Sequence, residues 1–205
     1  PYASSCEVYG WESQGYPMPL GIGTMCHEFS HVLGLPDLYD TNYAEQGQSH
    51  DPGDWDVMAS GGSFNYGRTP CAYSIWERYA LGWNQPLEIT QSGSYTLHYV
   101  GNTGDGLILR TPVENEFFML DNRQRTRWDA YLPGHGMIIA RVDSTNNRVW
   151  DWNQVNANPA HNYYELVRAG NSTNGSNGSD PFPACAHGRR WTAALRLRTS
   201  VSRMG

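Results

Sequence analysis

The chain has 205 residues, 39% of them hydrophobic and 13% aromatic, enough apolar material for one good-sized core or two small ones and far from a disordered composition. Its 20 acidic and 14 basic residues leave a formal net charge of -6, which supplies no basic field for nucleic acid or anionic lipid. No apolar run approaches the roughly 20 residues that cross a bilayer, so no membrane span is expected.

The first residues, Pro1-Tyr2-Ala3-Ser4-Ser5, hold neither a start methionine nor the basic and apolar regions of a signal peptide, and the chain reads as a fragment. Between residues 9 and 23, Gly10, Gly15, Pro17, Pro19, Gly21 and Gly23 leave little room for regular structure. A helix is expected from about Thr24. Ile22, Met25, Cys26, Phe29, Val32 and Leu33 recur at three- and four-residue steps and predict its buried stripe, with His27, Glu28 and His31 on another side. Gly34 can end the helix in a left-handed conformation, and Pro36 cannot continue it. Four cysteines, Cys6, Cys26, Cys71 and Cys185, fit no zinc-knuckle spacing and permit three pairings; they say little about compartment. Cys26 reads as a small buried hydrophobe.

Residues 39–65 are irregular and rich in Asp, Gly, Ser and Pro, long for a structureless connection and therefore a functional or ion-stiffened loop. Trp55-Asp56-Val57-Met58 stands in its second half. A second helix is signalled by Thr69 as cap, Pro70 at its first position, apolar Ile75, Trp76, Tyr79 and Ala80, and Gly82 as stop. Beyond a boundary near Pro86, residues 95–100, 107–110, 116–122, 137–142 and 163–167 are short aromatic and branched runs between turn residues, as in a sandwich or barrel. Residues 171–180 form a polar Asn, Gly and Ser segment, whose three glycosylation-type triplets follow from composition alone. The end of the chain crowds Arg189, Arg190, Arg196, Arg198 and Arg203 together and reads as a tail foreign to the fold rather than as a basic arm. The expected class is α+β, with residues 1–85, 86–170 and 171–205 as three units.

The chemistry lies in His27-Glu28-Phe29-Ser30-His31. Two imidazoles at i and i+4 on one helical face can grip one ion, and the glutamate between them can serve as general base to a water on that ion. A hydrolytic zinc wants a third protein ligand. Asp37 and Glu77 are the candidates, corresponding to different zinc-enzyme architectures; Asp37 is favoured because Gly34 permits the sharp reversal and Leu35 and Pro36 stiffen it. Asp40 is a weaker rival, better suited to support a ligand or to hold another ion.

The stretch His27-Glu28-x-x-His31-x-x-Gly34-x-x-Asp37, followed by Trp55-Asp56-Val57-Met58, resembles the immune inhibitor A family of bacterial secreted metalloproteases, relatives of the metzincins with aspartate in place of the third histidine. Tyr73-Ser74-Ile75-Trp76-Glu77-Arg78-Tyr79-Ala80-Leu81-Gly82-Trp83, Leu120-Asp121-Asn122-Arg123-Gln124 and Trp128-Asp129-Ala130-Tyr131-Leu132-Pro133-Gly134-His135-Gly136 extend the similarity over residues 16–170. The resemblance implies the C-terminal part of a metzincin-like zincin catalytic domain followed by an all-β, sandwich-like domain. It implies zinc on His27, His31 and Asp37, Glu28 as catalytic base, a turn containing Met58 beneath the metal, and secreted cleavage of proteins or peptides. It also raises calcium, for which Asp40, Asp51, Asp54 and Asp56 with Asn42 and Gly53 offer oxygens, although a hydrated acidic loop explains them as well. The alternative expectation is a truncated, non-catalytic zinc-binding piece whose β-rich half is a binding module. His135 between glycines and the Arg123, Arg125, Arg127 alternation read as a turn histidine and a solvated strand face.

Overall fold

A glycine-bounded helix and a sheet assembled after residue 86 set the architecture. The structure, a computed structural model, describes residues 8–9, 18–43, 45, 47–170, 176–183, 185–187 and 190–192. In chain order, β1 (Val8–Tyr9) and β2 (Met18–Pro19) pair antiparallel and lead into α1 (Ile22–Leu33). A long irregular segment with a 3₁₀ turn at Gly53–Trp55 then reaches α2 (Ile75–Ala80). There follow β3 (Leu87–Glu88), α3 (Val100–Thr103), β4 (Leu107–Arg110), β5 (Glu116–Arg123), a 3₁₀ turn at Arg127–Tyr131, β6 (Gly136–Asp143), α4 (Asn147–Asp151), β7 (Tyr164–Val167) and the hairpin β8 (Cys185–His187) and β9 (Arg190–Thr192).

Both ends of α1 depend on glycine. Gly34 adopts φ 108°, and the Gly34 N–H to His31 carbonyl and Leu35 N–H to Ser30 carbonyl bonds, each 3.0 Å, close the helix as a Schellman motif. At the other end Gly23 donates to the Gly67 carbonyl at 2.7 Å, and a Cβ on Gly23 would stand 1.8 Å from the Gly62 oxygen. Helix and loop approach each other at a distance only glycine allows.

That approach corrects the expected orientation of α1. Ile22, Met25, Phe29, Val32 and Leu33 are exposed, and Gly23 and Ser30 are the buried positions. Ser30 Oγ donates to the Cys26 carbonyl at 2.6 Å and lies 2.7 Å from the Tyr73 hydroxyl, and His27 bonds the Val57 carbonyl, so the polar side is held inward by hydrogen bonds. Cys26 is a half-buried free thiol.

The second helix is shorter than expected and capped elsewhere. Ser74 Oγ accepts the Glu77 N–H at 3.3 Å while Glu77 Oε2 accepts the Ser74 N–H at 2.6 Å, a capping box that replaces Thr69 and Pro70 as the start. Asp121 Oδ2 takes the Ile75 N–H at 2.9 Å, and Gly82 at φ 71° follows the helix end.

The five main strands run in the order β3-β4-β5-β6-β7, with β3 parallel to β4 and the rest antiparallel. Among the described residues this is mixed α and β structure, consistent with the expected α+β class, with a single five-stranded sheet beside two two-stranded hairpins. Residues 95–100 do not form a strand: Tyr99 makes a single bridge to Asn122, whose side-chain amide also donates to the Leu97 carbonyl at 2.9 Å, and α3 begins at once. Leu97 instead joins Ile89, Leu107, Leu120 and Met137 in a small core on one face of the sheet. The larger core, on the other face, unites Leu35, Leu38, Trp55, Met58, Ile75 and Trp76 with Met119, Ile138, Val142, Tyr164 and Leu166.

Arg123 is completely buried rather than part of a solvated face. Its guanidinium makes two bonds of 2.9 and 2.8 Å to Asp129 and donates to the Trp55 and Ala72 carbonyls at 3.0 and 2.8 Å. It thereby ties β5 to the loop around Met58 and to the lead-in of α2; removing one partner of such a pair costs about 3–5 kcal/mol. The second half of the polar segment is a packed loop: Ser176 Oγ takes the Asp54 N–H at 2.6 Å, and buried Asp180 accepts from Trp55 Nε1 at 3.1 Å and pairs with Arg168 at 2.5 Å. Residues 171–175 and most of the arginine-rich end lie outside the described residues.

Candidate metal centre

Helical spacing brings the two imidazoles to one side of α1, with ring centroids 4.8 Å apart. Each ring is fixed by its other nitrogen. His27 Nδ1 lies 2.9 Å from the Val57 carbonyl and His31 Nδ1 lies 2.7 Å from the Leu35 carbonyl; a carbonyl only accepts, so each Nδ1 carries the proton. In the neutral rings each Nε2 is then a lone pair.

Those lone pairs face Asp37. After the glycine turn at Gly34 the chain reverses, the Leu38 N–H bonds the Met58 carbonyl at 2.8 Å, and Asp37 Oδ1 comes 3.0 Å from His27 Nε2 and 3.2 Å from His31 Nε2. Oδ1 is buried and receives no hydrogen bond. The contacts are short, yet between neutral rings and a carboxylate they are acceptor against acceptor. Three lone-pair donors directed at one point without a hydrogen between them are what a cation satisfies. Among the described residues this is where three such ligand atoms come together, all within 4.8 Å of one another.

The electrostatics agree. Burial lowers the His27 pKa, but Asp37 and the Val57 carbonyl outweigh it and raise it overall; His31 is raised chiefly by Asp37. Burial pushes the Asp37 carboxyl up, and the two imidazoles with Asn153 outweigh that and hold it well below the usual carboxylate range. The pocket favours positive charge between the three residues.

Glu28 is half-buried on the same helix, and its charge bears on both His31 and Tyr39. Tyr39 stacks beside His27 with centroids 6.3 Å apart, and burial followed by the Asp37 charge pushes its phenol up to about 12, so it remains a proton donor. Met58 is completely buried, with the neighbouring Val57 holding His27 and its own carbonyl holding Leu38. A cleft of about 620 Å³ opens beside the centre, lined by His31, Leu35, Pro36, Trp76, Trp150 and Asn153.

Other candidates lie elsewhere. Glu77 is sealed in the capping box beside Asp56, and burial with the Asp56 charge raises its pKa well above the ordinary carboxylate value. Asp40 takes the N–H groups of Asn42 and Ser49, each at 3.2 Å, and so braces its own loop. Asp56 accepts the Met58 N–H at 2.9 Å and is buried, so the four loop acids do not gather into one cation site. Tyr39 and Asn153 were not signalled by any metal motif. Asn153 at φ 56° occupies the left-handed position that ends α4, where asparagine is ordinary, and nothing local marks it as reaching Asp37.

Helix, glycine turn and methionine-containing loop bring two imidazoles and one carboxylate together as a candidate metal centre. Residues 5–83 match the family described as immune inhibitor A peptidase M6, catalytic domain, which bears out the resemblance over that stretch. The match ends at residue 83, so the similarity in residues 120–136 lies beyond it. Two proteins named pre-pro-metalloprotease PrtV, from Vibrio cholerae serotype O1 strains M66-2 and ATCC 39315 / El Tor Inaba N16961, are 38% identical over 68 residues. That alignment covers 32% of this chain and 7% of each relative's length. Among the described residues no helix is long and apolar enough to cross a membrane.

Proposed function

We propose that this chain carries the metal-binding part of a zinc-dependent endopeptidase that acts on proteins or peptides outside a bacterial cell. The carrying observation is the convergence of His27 Nε2, His31 Nε2 and Asp37 Oδ1, three lone-pair donors with both imidazole tautomers locked. A nitrogen, nitrogen and oxygen set of this kind fits zinc, with a fourth position left to solvent or substrate. Bound there, zinc would polarise a peptide carbonyl and lower the pKa of a bound water to about 7.

The chain's own residues do the rest. His27 and His31 supply neutral nitrogen ligands because Val57 and Leu35 hold the protons on the opposite ring atoms. Glu28 takes a proton from the attacking water and passes it to the leaving amine nitrogen. Tyr39, kept protonated, can donate a hydrogen bond at the same face. The aromatic wall of Trp76 and Trp150 beside His31 offers an apolar surface to a bound peptide. The match to a peptidase catalytic domain and the metalloprotease names of its relatives support this reading, as does the reversal after Gly34 that delivers Asp37.

Zinc content and casein cleavage test it, for the wild type and for Glu28→Ala. One zinc per chain and a fall in cleavage of about 10²- to 10⁴-fold in the variant are expected. Equal cleavage by both proteins would remove Glu28 from the mechanism, and a chain that takes up no zinc would remove the site. Zinc uptake without any cleavage would favour a non-catalytic role for the piece.

A further inference from the structure

We infer that Asn153, 116 residues downstream of Asp37, is the positioning residue that aims the third metal ligand, so that the metal centre is completed by the sheet-bearing half of the chain. This rests on the zinc reading above. Asn153 grips Asp37 twice. Its side-chain carbonyl accepts the Asp37 N–H at 2.5 Å, and its amide Nδ2 donates to Asp37 Oδ2 at 2.6 Å. Oδ2 is thereby engaged while Oδ1 is left facing the two Nε2 atoms. A carboxylate rotates about its terminal torsion unless something distinguishes its oxygens; here one amide does so.

The grip requires asparagine in particular. α4 ends as a second Schellman motif, with the Asn153 N–H to Trp150 carbonyl at 3.3 Å and the Gln154 N–H to Val149 carbonyl at 2.7 Å. Glycine would satisfy that backbone position as well or better, but it has no side chain to reach Asp37. Aspartate would keep the acceptor for the Asp37 N–H and lose the donor to Oδ2, placing a second negative charge against the carboxylate. Around this contact, Thr41 Oγ1 donates to the Asn153 carbonyl at 3.0 Å, Asn156 Nδ2 to the Leu38 carbonyl at 2.7 Å and Asn42 Nδ2 to the Ala157 carbonyl at 2.6 Å. The turn after α1 is zipped to residues 153–157, and only Asn153 touches the ligand itself.

The test is carried out on the full chain as wild type, Asn153→Ala, Asn153→Asp and Asn42→Ala. Zinc affinity is measured by competition with a chromophoric chelator, the visible d–d spectrum is recorded after cobalt(II) substitution, and far-UV circular dichroism monitors the fold. Asn153→Ala and Asn153→Asp are each expected to bind zinc about 10- to 100-fold more weakly, with an altered cobalt spectrum and unchanged circular dichroism. Asn42→Ala removes a neighbouring bond of the same zipper and is expected to keep wild-type affinity and spectrum. Wild-type affinity and spectrum in both Asn153 variants would overturn the inference, as would an equal loss in Asn42→Ala, which would mark a general loosening of the turn. Failure of the wild type to bind zinc would overturn the zinc reading instead. Should Asn153→Ala not fold, Asn153→Asp, which retains the acceptor to the backbone, decides the matter alone.

Discussion

At the candidate metal centre the two imidazoles and Asp37 form a charge arrangement that a proton can occupy. The sign of its pH dependence follows from the shifts. His27 and His31 have raised pKa values, so in the metal-free chain their contribution to stability is complete below 6.5, the ordinary histidine value, and is lost as pH rises through the raised values. Asp37 has a lowered value, so its contribution is present above 3.8, the ordinary aspartate value, and is lost as pH falls through the depressed one. The chelator-treated chain should therefore draw most from this site between pH 3.8 and 6.5 and lose thermal stability as pH rises above that window. Zinc has to displace the same protons, so its affinity should increase with pH in the range where the metal-free chain weakens. Melting temperatures with chelator and with zinc, taken across that range, check both directions; parallel curves would show that the histidines do not titrate against the metal.

The elements around the site show where a residue pattern is informative and where it misleads. The convergence of His27, His31 and Asp37 around the Gly34 turn is legible because groups confined to one helix and one turn depend on local spacing. Glu77 shows the opposite. In sequence it is an acid on a helix and a rival ligand; in the fold its carboxyl closes a capping box against Ser74 in complete burial. Because burial and the Asp56 charge raise the pKa of that carboxyl well above the ordinary value, a neutral isostere should serve as well. Glu77→Gln is expected to preserve the fold, whereas Glu77→Ala keeps the bond from the backbone N–H at position 77 to Ser74 Oγ but leaves the Ser74 N–H buried without a partner. That loss costs about 1–3 kcal/mol. Urea denaturation of the two variants separates these outcomes, and comparable losses in both would mean that the charge, rather than the cap, matters at this position.

Across the whole molecule, legibility declines with sequence separation. The strands at 107–110, 116–122, 137–142 and 163–167 are visible from their composition, but their assembly into one sheet is not, because the partners that redirect residues 95–100 and cover each face are distant in the chain. Arg123 looks like an exposed charge until the carbonyls of Trp55 and Ala72 and the carboxylate of Asp129 enclose it. Asn153 likewise gains meaning only where the chain returns to Asp37. The apolar stripe of α1 is the most instructive case: its helical period is real, but the glycine contacts and the inward hydrogen bonds turn it outward, leaving Met25 and Phe29 59% and 52% exposed. The consequence is colloidal. An outward stripe of Ile22, Met25, Phe29, Val32 and Leu33 is expected to make these chains attract one another in water, more strongly where sulfate enforces apolar burial. Light scattering should rise with protein and sulfate concentration, and Met25→Glu with Phe29→Glu should suppress it while zinc per chain stays the same. On this helix the outward apolar face and the face that carries the candidate metal ligands lie apart, so each can be altered independently.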